Sequence, residues 1–158
     1  MISTAHQYLI WLTLIAYAVH VLEEAALDWK SWAQNSLKLN VNWATFDVAN
    51  LAVMFIGIAT AMIGWQLPMV GLIVPALMLI NGIFFHILPT LIQRKFSPGT
   101  ITAVILFLPI SIWIYAGAYQ DNVLTWTQLI GSLILGGLLM ASPIIFLKLR
   151  DKTTMINS

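Results

Sequence analysis

Long runs of apolar residues, separated by short polar breaks, dominate the chain from one end to the other. A helix that crosses about 30 Å of hydrocarbon needs about 20 mainly apolar residues. Five runs reach that length, at about residues 6–27, 45–65, 68–92, 100–119 and 124–147. Polar or helix-breaking residues separate the runs, as in Ser97-Pro98-Gly99 and Gln120-Asp121-Asn122. The pattern predicts an all-α membrane protein, in which five transmembrane helices form a single bundle and a single domain.

The composition favours lipid surroundings. Of the 158 residues, 60% are hydrophobic and only 8% are charged, whereas about 25% are charged in ordinary soluble domains. We therefore expect the chain to reside in a lipid bilayer. The formal net charge is +1 and no run of basic residues occurs, which argues against nucleic acid as a partner. The chain has no cysteine, so disulfides and thiolate metal sites are excluded.

The basic residues predict how the helices are oriented. All seven follow the first, third or fifth apolar run: Lys30, Lys38, Arg94, Lys95, Lys148, Arg150 and Lys152. In a five-helix chain these three ends share one face of the membrane, and the positive-inside rule makes that face cytoplasmic. We expect the N-terminus outside and the C-terminus in the cytoplasm.

The segment between the first two runs, residues 28–42, has two interpretations. It places Trp29 and Trp32 beside Lys30 and also contains aliphatic residues. Tryptophan beside lysine is typical of a segment that lies in the headgroup layer of a membrane. A partly ordered loop is the alternative.

Ionisable residues gather near the cytoplasmic ends of the predicted helices, where exposure to lipid would be costly. At about 100° per residue, Glu23 and Glu24 lie on either side of His20 on one face of the first helix. With a rise of 1.5 Å per residue, His20 and His86 lie roughly 10 Å and 9 Å from their helix ends. Antiparallel connection therefore brings the two histidines to the same depth.

Three other polar residues are candidates for the same site. Asp47 and Asn50, three residues apart, share a face at the start of the second helix. On a regular helix Asn81 and His86 are about 140° apart, so they share a site only if the helix is distorted. Pro89 makes a bend the expected distortion. For Asp47 a plain helix N-cap is the alternative role.

Imidazoles and carboxylates at one depth suit a divalent transition metal, with zinc or iron favoured. The expected ligands are His20, Glu24, His86 and Asp47, the last as a ligand or as an orienting group. We expect Glu23 to act as a general base that activates water. Asn81 and Asn50 would position the substrate or polarise a carbonyl.

The favoured function is hydrolysis of a lipid-like or membrane-embedded substrate that enters sideways at the cytoplasmic leaflet. Two alternatives use the same residues. One is a small proton- or cation-coupled transporter, for which a homodimer would supply a continuous path across the membrane. The other is a metal-free isomerase that works by acid–base catalysis.

The order of these polar residues resembles that of the HXXEE-motif family of small bacterial integral membrane proteins, whose function is uncharacterised. The motif stands here as His20-Val21-Leu22-Glu23-Glu24, and Asn81 and His86 match the asparagine and histidine of a later helix. Phe96-Ser97-Pro98-Gly99 matches the family's aromatic-x-Pro-Gly turn, with phenylalanine in place of the usual tyrosine, and Thr102 follows. The resemblance covers about residues 6–110 and implies a multi-pass protein of the bacterial inner membrane.

Overall fold

Five apolar helices account for most of the molecule. The computed structural model describes residues 4–156, with the side chains of residues 4–149, and within that part of the chain all regular structure is helical. The five helices, called spans 1 to 5, are Gln7–Ala26, Trp43–Gln66, Pro68–Gln93, Thr100–Gln120 and Trp126–Leu149. Their ends lie within two residues of the predicted limits, and the helix of span 5 continues to Ile156. The prediction of five helices long and apolar enough to cross a membrane is confirmed.

Span 3 forms the centre of the bundle. Of its most apolar window, 56% is buried inside the protein, compared with 11% for span 5. Span 5 lies close against it, since a Cβ added at Gly136 would come within 2.7 Å of Ala76 Cβ. Seven buried residues from spans 1 to 4 form the core nearest the polar cluster described below: Ala16, Tyr17, Val53, Val74, Leu77, Met78 and Phe107. Span 5 consequently leaves most of its surface exposed.

The 28–42 segment folds back onto the bundle. It contains a short α-helix, Trp29–Trp32, followed by the π-helical stretch Ala33–Leu37. Its buried residues pack against one residue of span 2 and one of span 5, in a group formed by Ala33, Val41, Phe46 and Leu147. Gln34 Nε2 donates a hydrogen bond to the Val41 carbonyl at 2.8 Å. The segment is thus an ordered cover at this end of the bundle, and its position in the headgroup layer of a membrane stays a prediction.

Span 3 is π-helical over Asn81–Ile87. The sequence predicted a bend that would bring Asn81 and His86 to the same side, and the π-helical stretch has this effect instead. Pro89 has no N–H to donate to the Phe85 carbonyl four residues earlier. That carbonyl instead accepts a hydrogen bond from Ser97 Oγ at 3.4 Å. In a π-helix, residues five apart hydrogen-bond and lie on one face. Asn81 and His86 therefore point to the same side of span 3.

Asp121 links three parts of the chain at the end of the bundle opposite the 28–42 segment. It lies in the turn between spans 4 and 5 and is 2% exposed. Its carboxylate accepts from the backbone N–H and ring Nδ1 of His6, each at 2.9 Å. It also accepts from the indole Nε1 of Trp65 at 2.9 Å. One buried carboxylate thus links the start of span 1, the end of span 2 and the turn between spans 4 and 5.

Candidate metal centre

Three buried side chains from two spans meet at one point. His20 and Glu24 lie one turn apart on span 1, and His86 lies in the π-helical stretch of span 3. Glu24 Oε1 is 3.7 Å from His20 Nε2 and 3.5 Å from His86 Nε2. The imidazole rings meet edge to face with their centroids 4.8 Å apart. We call these three residues the His–Glu cluster, because one ligand atom from each lies within 4.8 Å of the other two.

The donor atoms of the cluster suit a metal ion. Both Nε2 atoms are buried and have no hydrogen-bond partner, and their distances to Glu24 exceed normal hydrogen-bond lengths. A buried polar atom without a hydrogen-bond partner destabilises the fold by about 1–3 kcal/mol, so its presence needs a physical explanation. A tetrahedral zinc ion with Zn–N near 2.0–2.1 Å sets its donors about 3.3 Å apart. The two distances to Glu24 are within a few tenths of an ångström of that spacing.

Thr102 determines which nitrogen of His20 carries the proton. Its Oγ1 lies 2.6 Å from Glu23 Oε2 and 2.7 Å from His20 Nδ1. A carboxylate only accepts hydrogen bonds and a hydroxyl has one proton, so Thr102 donates to Glu23 and accepts from Nδ1–H. This network assigns the lone pair of His20 to Nε2, on the side of Glu24. A histidine that binds a metal through Nε2 needs that tautomer and that kind of support.

The Glu23 carboxylate also caps the N-terminus of span 4. Its Oε1 accepts from the backbone N–H groups of Gly99 and Ile101, each at 3.1 Å. Its Oε2 accepts from the Thr102 N–H at 2.7 Å. These N–H groups have no partner within their own helix, and the helix N-terminus favours a negative charge. Glu23 therefore fixes the start of span 4 against span 1, beside the His–Glu cluster.

The turn before span 4 closes over the two imidazoles. Gly99 has φ +97°, and a Cβ there would lie 2.6 Å from His86 Cε1 and 2.7 Å from His20 Cε1. Glycine is required both by this conformation and by the close approach. Ser97 Oγ is 3.3 Å from His86 Nδ1 and is the counterpart of Thr102 at the second imidazole.

A largely apolar cavity of about 90 Å³ adjoins the His–Glu cluster. Glu24 and His86 form part of its wall, and the other lining residues come from spans 1, 2, 3 and 5 and from the 28–42 segment. Among the described residues that line it there is no lysine or arginine. The cluster thus faces a space that is suited to apolar molecules.

The two predicted asparagines line this cavity and lie outside the His–Glu cluster itself. Asn50 Oδ1 accepts from the Tyr17 hydroxyl at 2.8 Å, and its Nδ2 donates to the Phe46 carbonyl. Asn81 Nδ2 donates to the sulfur of Met140 at 3.2 Å, whereas its Oδ1 is buried and has no partner. Of these two asparagines, Asn81 is thus the one that has a side-chain oxygen without a partner.

Asp47 is exposed on the first turns of span 2, and it is not among the three residues of the His–Glu cluster. The alternative role of helix cap belongs instead to Asn42. The side chain of Asn42 accepts from the Thr45 N–H at 2.8 Å, as the N-cap of span 2. The metal-ligand role of Asp47 stays a prediction, to which the structure adds no neighbouring ligand.

Comparison with known proteins identifies the family. Residues 11–114, well over half of the chain, match the family described as "Protein of unknown function with HXXEE motif". The chain belongs to this HXXEE family. It is also 31% identical over 78 residues to "Uncharacterized protein YrkK" of Bacillus subtilis (strain 168), an alignment that covers 49% of each protein. The chain thus matches about half the length of that relative. No solved structure matches.

In this HXXEE protein the two adjacent glutamates of the motif face different neighbours. Glu24 joins the two histidines, whereas Glu23 binds the first turn of span 4. The resemblance had pointed to Thr102 and Gly99 without a role for either, and the structure places both against the motif. The sequence did not predict two other contacts, that of Tyr17 with Asn50 and that of Ser97 with His86. For Ser97, the available signal was a cluster of hydroxyl residues at the start of an apolar span.

Proposed function

We propose that this HXXEE protein is a metal-dependent membrane enzyme, and that it hydrolyses a lipid-like or membrane-embedded substrate at the cytoplasmic leaflet. One observation carries the proposal, namely that two buried Nε2 atoms without partners converge on one buried carboxylate. At 3.5 and 3.7 Å these groups do not hydrogen-bond to one another. A divalent cation would satisfy all three, and it would also offset the cost of burying the carboxylate.

The ligand set favours catalysis over a purely structural metal site. Structural zinc sites have four protein ligands, whereas two histidines and one carboxylate leave positions open in catalytic zinc and non-haem iron sites. Zinc or iron is therefore the proposed ion. A cation bound there supplies a Lewis acid that polarises a carbonyl or phosphoryl oxygen and acidifies water.

The residues around the His–Glu cluster would orient the ligands and the substrate. Thr102 and Glu23 hold His20 in its ligand tautomer, as the 2.6 and 2.7 Å contacts indicate. Since both oxygens of Glu23 already accept hydrogen bonds, we assign it a positioning role; its role as general base stays a prediction. Asn81, with an acceptor facing no partner, would hydrogen-bond to the substrate, and Asn50 would shape the cavity beside it.

The cytoplasmic side is proposed from charge. The His–Glu cluster lies near the end of span 1, the end of span 3 and the start of span 4. In the sequence, the seven lysines and arginines stand at or beyond the ends of spans 1, 3 and 5, which point to that same end of the bundle. By the positive-inside rule, this end faces the cytoplasm.

Metal-dependent release of fatty acid from bacterial lipids tests the proposal. Detergent-purified protein is incubated with a lipid extract before and after removal of metal by a chelator, and after zinc or Fe²⁺ is restored. We expect hydrolysis to disappear with the chelator, to return with one of the ions and to be lost in Glu24→Gln. Release of fatty acid that survives complete removal of the metal would contradict the metal-dependent mechanism. A lipid isomer of unchanged mass, formed without metal, would favour the acid–base isomerase. Ion flux into liposomes without any lipid product would favour the transporter.

A further inference from the structure

We propose a substrate class for this site: a neutral monoacyl ester whose alcohol part carries free hydroxyl groups, as in a monoacylglycerol. This substrate class rests on the proposed function. It would lie with its ester beside the His–Glu cluster, its hydroxyl groups against Asn81 and Trp32, and its chain directed toward lipid between spans 2 and 5.

Two buried polar atoms of the cavity-lining residues need partners that the protein does not provide. Asn81 Oδ1 is an acceptor and Trp32 Nε1–H is a donor, and neither has a hydrogen bond. Tyr17 and Asn50 also line the cavity, but they hydrogen-bond to each other. A ligand that offers a donor to Asn81 and an acceptor to Trp32 would satisfy both atoms. A hydroxyl group does both, whereas a hydrocarbon does neither.

The charge of the cavity wall selects a neutral headgroup. Its lining includes the Glu24 carboxylate and His86, and none of the described lining residues is lysine or arginine. Phosphate groups are recognised by basic side chains, mainly arginine and lysine. A phosphate here would instead meet Glu24 without a basic partner. A glycerol-like headgroup brings no charge and matches the unpartnered donor and acceptor.

The shape of the site indicates a single chain that enters sideways from lipid. The cavity of about 90 Å³ is smaller than the engineered cavity of about 150 Å³ that holds one benzene, so only part of a lipid fits inside. An apolar groove of about 530 Å³ lies between spans 2 and 5. Thr45, Ala49 and Pro143 line both spaces. Val48 and Phe146, exposed on the outer wall of the groove, are available to contact an acyl chain.

The reaction on such a substrate balances with water alone. Water adds its oxygen to the acyl carbon, the bond between that carbon and the alkoxy oxygen breaks, and the products are a fatty acid and an alcohol. One proton of the water is transferred to the leaving alcohol oxygen. No oxidant, reductant or further co-reactant is needed.

Binding is tested separately from hydrolysis with 1-O-oleylglycerol, an ether that has the same headgroup and chain but no ester to cleave. Its affinity for the metal-loaded protein is measured by native mass spectrometry. Ala49→Phe, which fills the passage from groove to cavity, should weaken binding at least about tenfold. Trp32→Phe removes the N–H donor together with the five-membered ring of the indole and should weaken it about threefold to tenfold. Ala116→Phe, at an exposed alanine of span 4, is the matched control and should bind like wild type.

Hydrolysis is then compared between 1-monooleoylglycerol and oleoyl lysophosphatidic acid, which differ by one phosphate. Release of oleate mainly from the neutral ester supports the assignment. Equal or faster release from the phosphate lipid overturns it, although the protein would still be a metal-dependent hydrolase. Equal affinity of Ala49→Phe and Ala116→Phe for the ether also overturns it. Tight binding of the ether that is weakened in Ala49→Phe, with no hydrolysis of either ester, supports the ligand class and instead rejects the proposed hydrolase.

Discussion

Two adjacent glutamates have different roles because the rotation of about 100° between consecutive helix residues points them at different neighbours. Glu24 lies 3.5 Å from His86 Nε2, inside the bundle. Glu23 instead accepts from three backbone N–H groups and one hydroxyl at the start of span 4. A carboxylate held by that many donors is suited to fix its neighbours in place. Through Thr102, that positioning extends to the imidazole of His20.

The proposed positioning role predicts that Thr102→Val weakens metal binding. Valine keeps the shape of threonine but cannot accept the proton of His20 Nδ1, so the ligand tautomer loses its support. Loss of such an outer contact typically costs about 10–100-fold in metal affinity. Thr102→Ser keeps the hydroxyl and is the matched control. Competition with a fluorescent zinc chelator measures both variants, and equal affinities for valine and serine would contradict this role.

At the level of the helices, apolar run length was enough to locate the five spans, because each run fills the hydrocarbon thickness and ends at polar or breaking residues. The local geometry inside the spans was not predictable in the same way. Regular helical spacing placed Asn81 and His86 far apart in angle, whereas the π-helical stretch brings them to one side. Proline signalled a distortion, but the spacing did not indicate its π-helical form or the hydrogen bond from Ser97 Oγ to the Phe85 carbonyl.

Sequence spacing also could not show which of several polar residues near one helix end point into the bundle. Glu23 and Glu24 flank His20 almost symmetrically, and only the position of span 4 distinguishes them. Asp47 fitted the expected depth, but depth does not say which face of span 2 points inward. The structure leaves Asp47 exposed and brings Asn50 to the cavity.

The buried Asp121 predicts a stability effect at the end of the spans opposite the His–Glu cluster. Asp121→Ala would leave the donors of His6 and Trp65 without their acceptor. Leaving buried donors without a hydrogen-bond acceptor costs about 1–3 kcal/mol, which lowers Tm by about 2–12 °C for a chain of this size. Asp47→Ala, at an exposed carboxylate, should change stability by less than about 0.5 kcal/mol. Thermal unfolding in detergent measures both; equal Tm values would show that Asp121 does not hold the spans together.

For the molecule as a whole, the polar residues of the candidate site and the basic residues are concentrated at one end. The His–Glu cluster, the 28–42 segment and the turn before span 4 lie there, and Asp121 lies at the other end. Such an arrangement suits an enzyme that admits a lipid from one leaflet. A continuous line of ionisable groups across the bilayer, as a proton relay uses, is not seen among the described residues of one chain. A homodimer stays a prediction.

The proposed orientation predicts opposite labelling at the two ends. The natural chain has no cysteine, so Lys95→Cys and Gln120→Cys each introduce a single reporter thiol at an exposed position. In intact spheroplasts, a membrane-impermeant maleimide should label Gln120→Cys and leave Lys95→Cys unlabelled until the membrane is opened. The reverse pattern would place the His–Glu cluster on the outer side.

The central claim is that His20, Glu24 and His86 together hold a metal ion, and metal content tests it most directly. Mass spectrometry of detergent-purified protein should find close to one zinc or iron per chain. His20→Ala, His86→Ala and Glu24→Gln should each lose most of it, while His6→Gln should retain it. Folded wild-type protein without metal, or metal that is retained in all three cluster variants, would contradict the account.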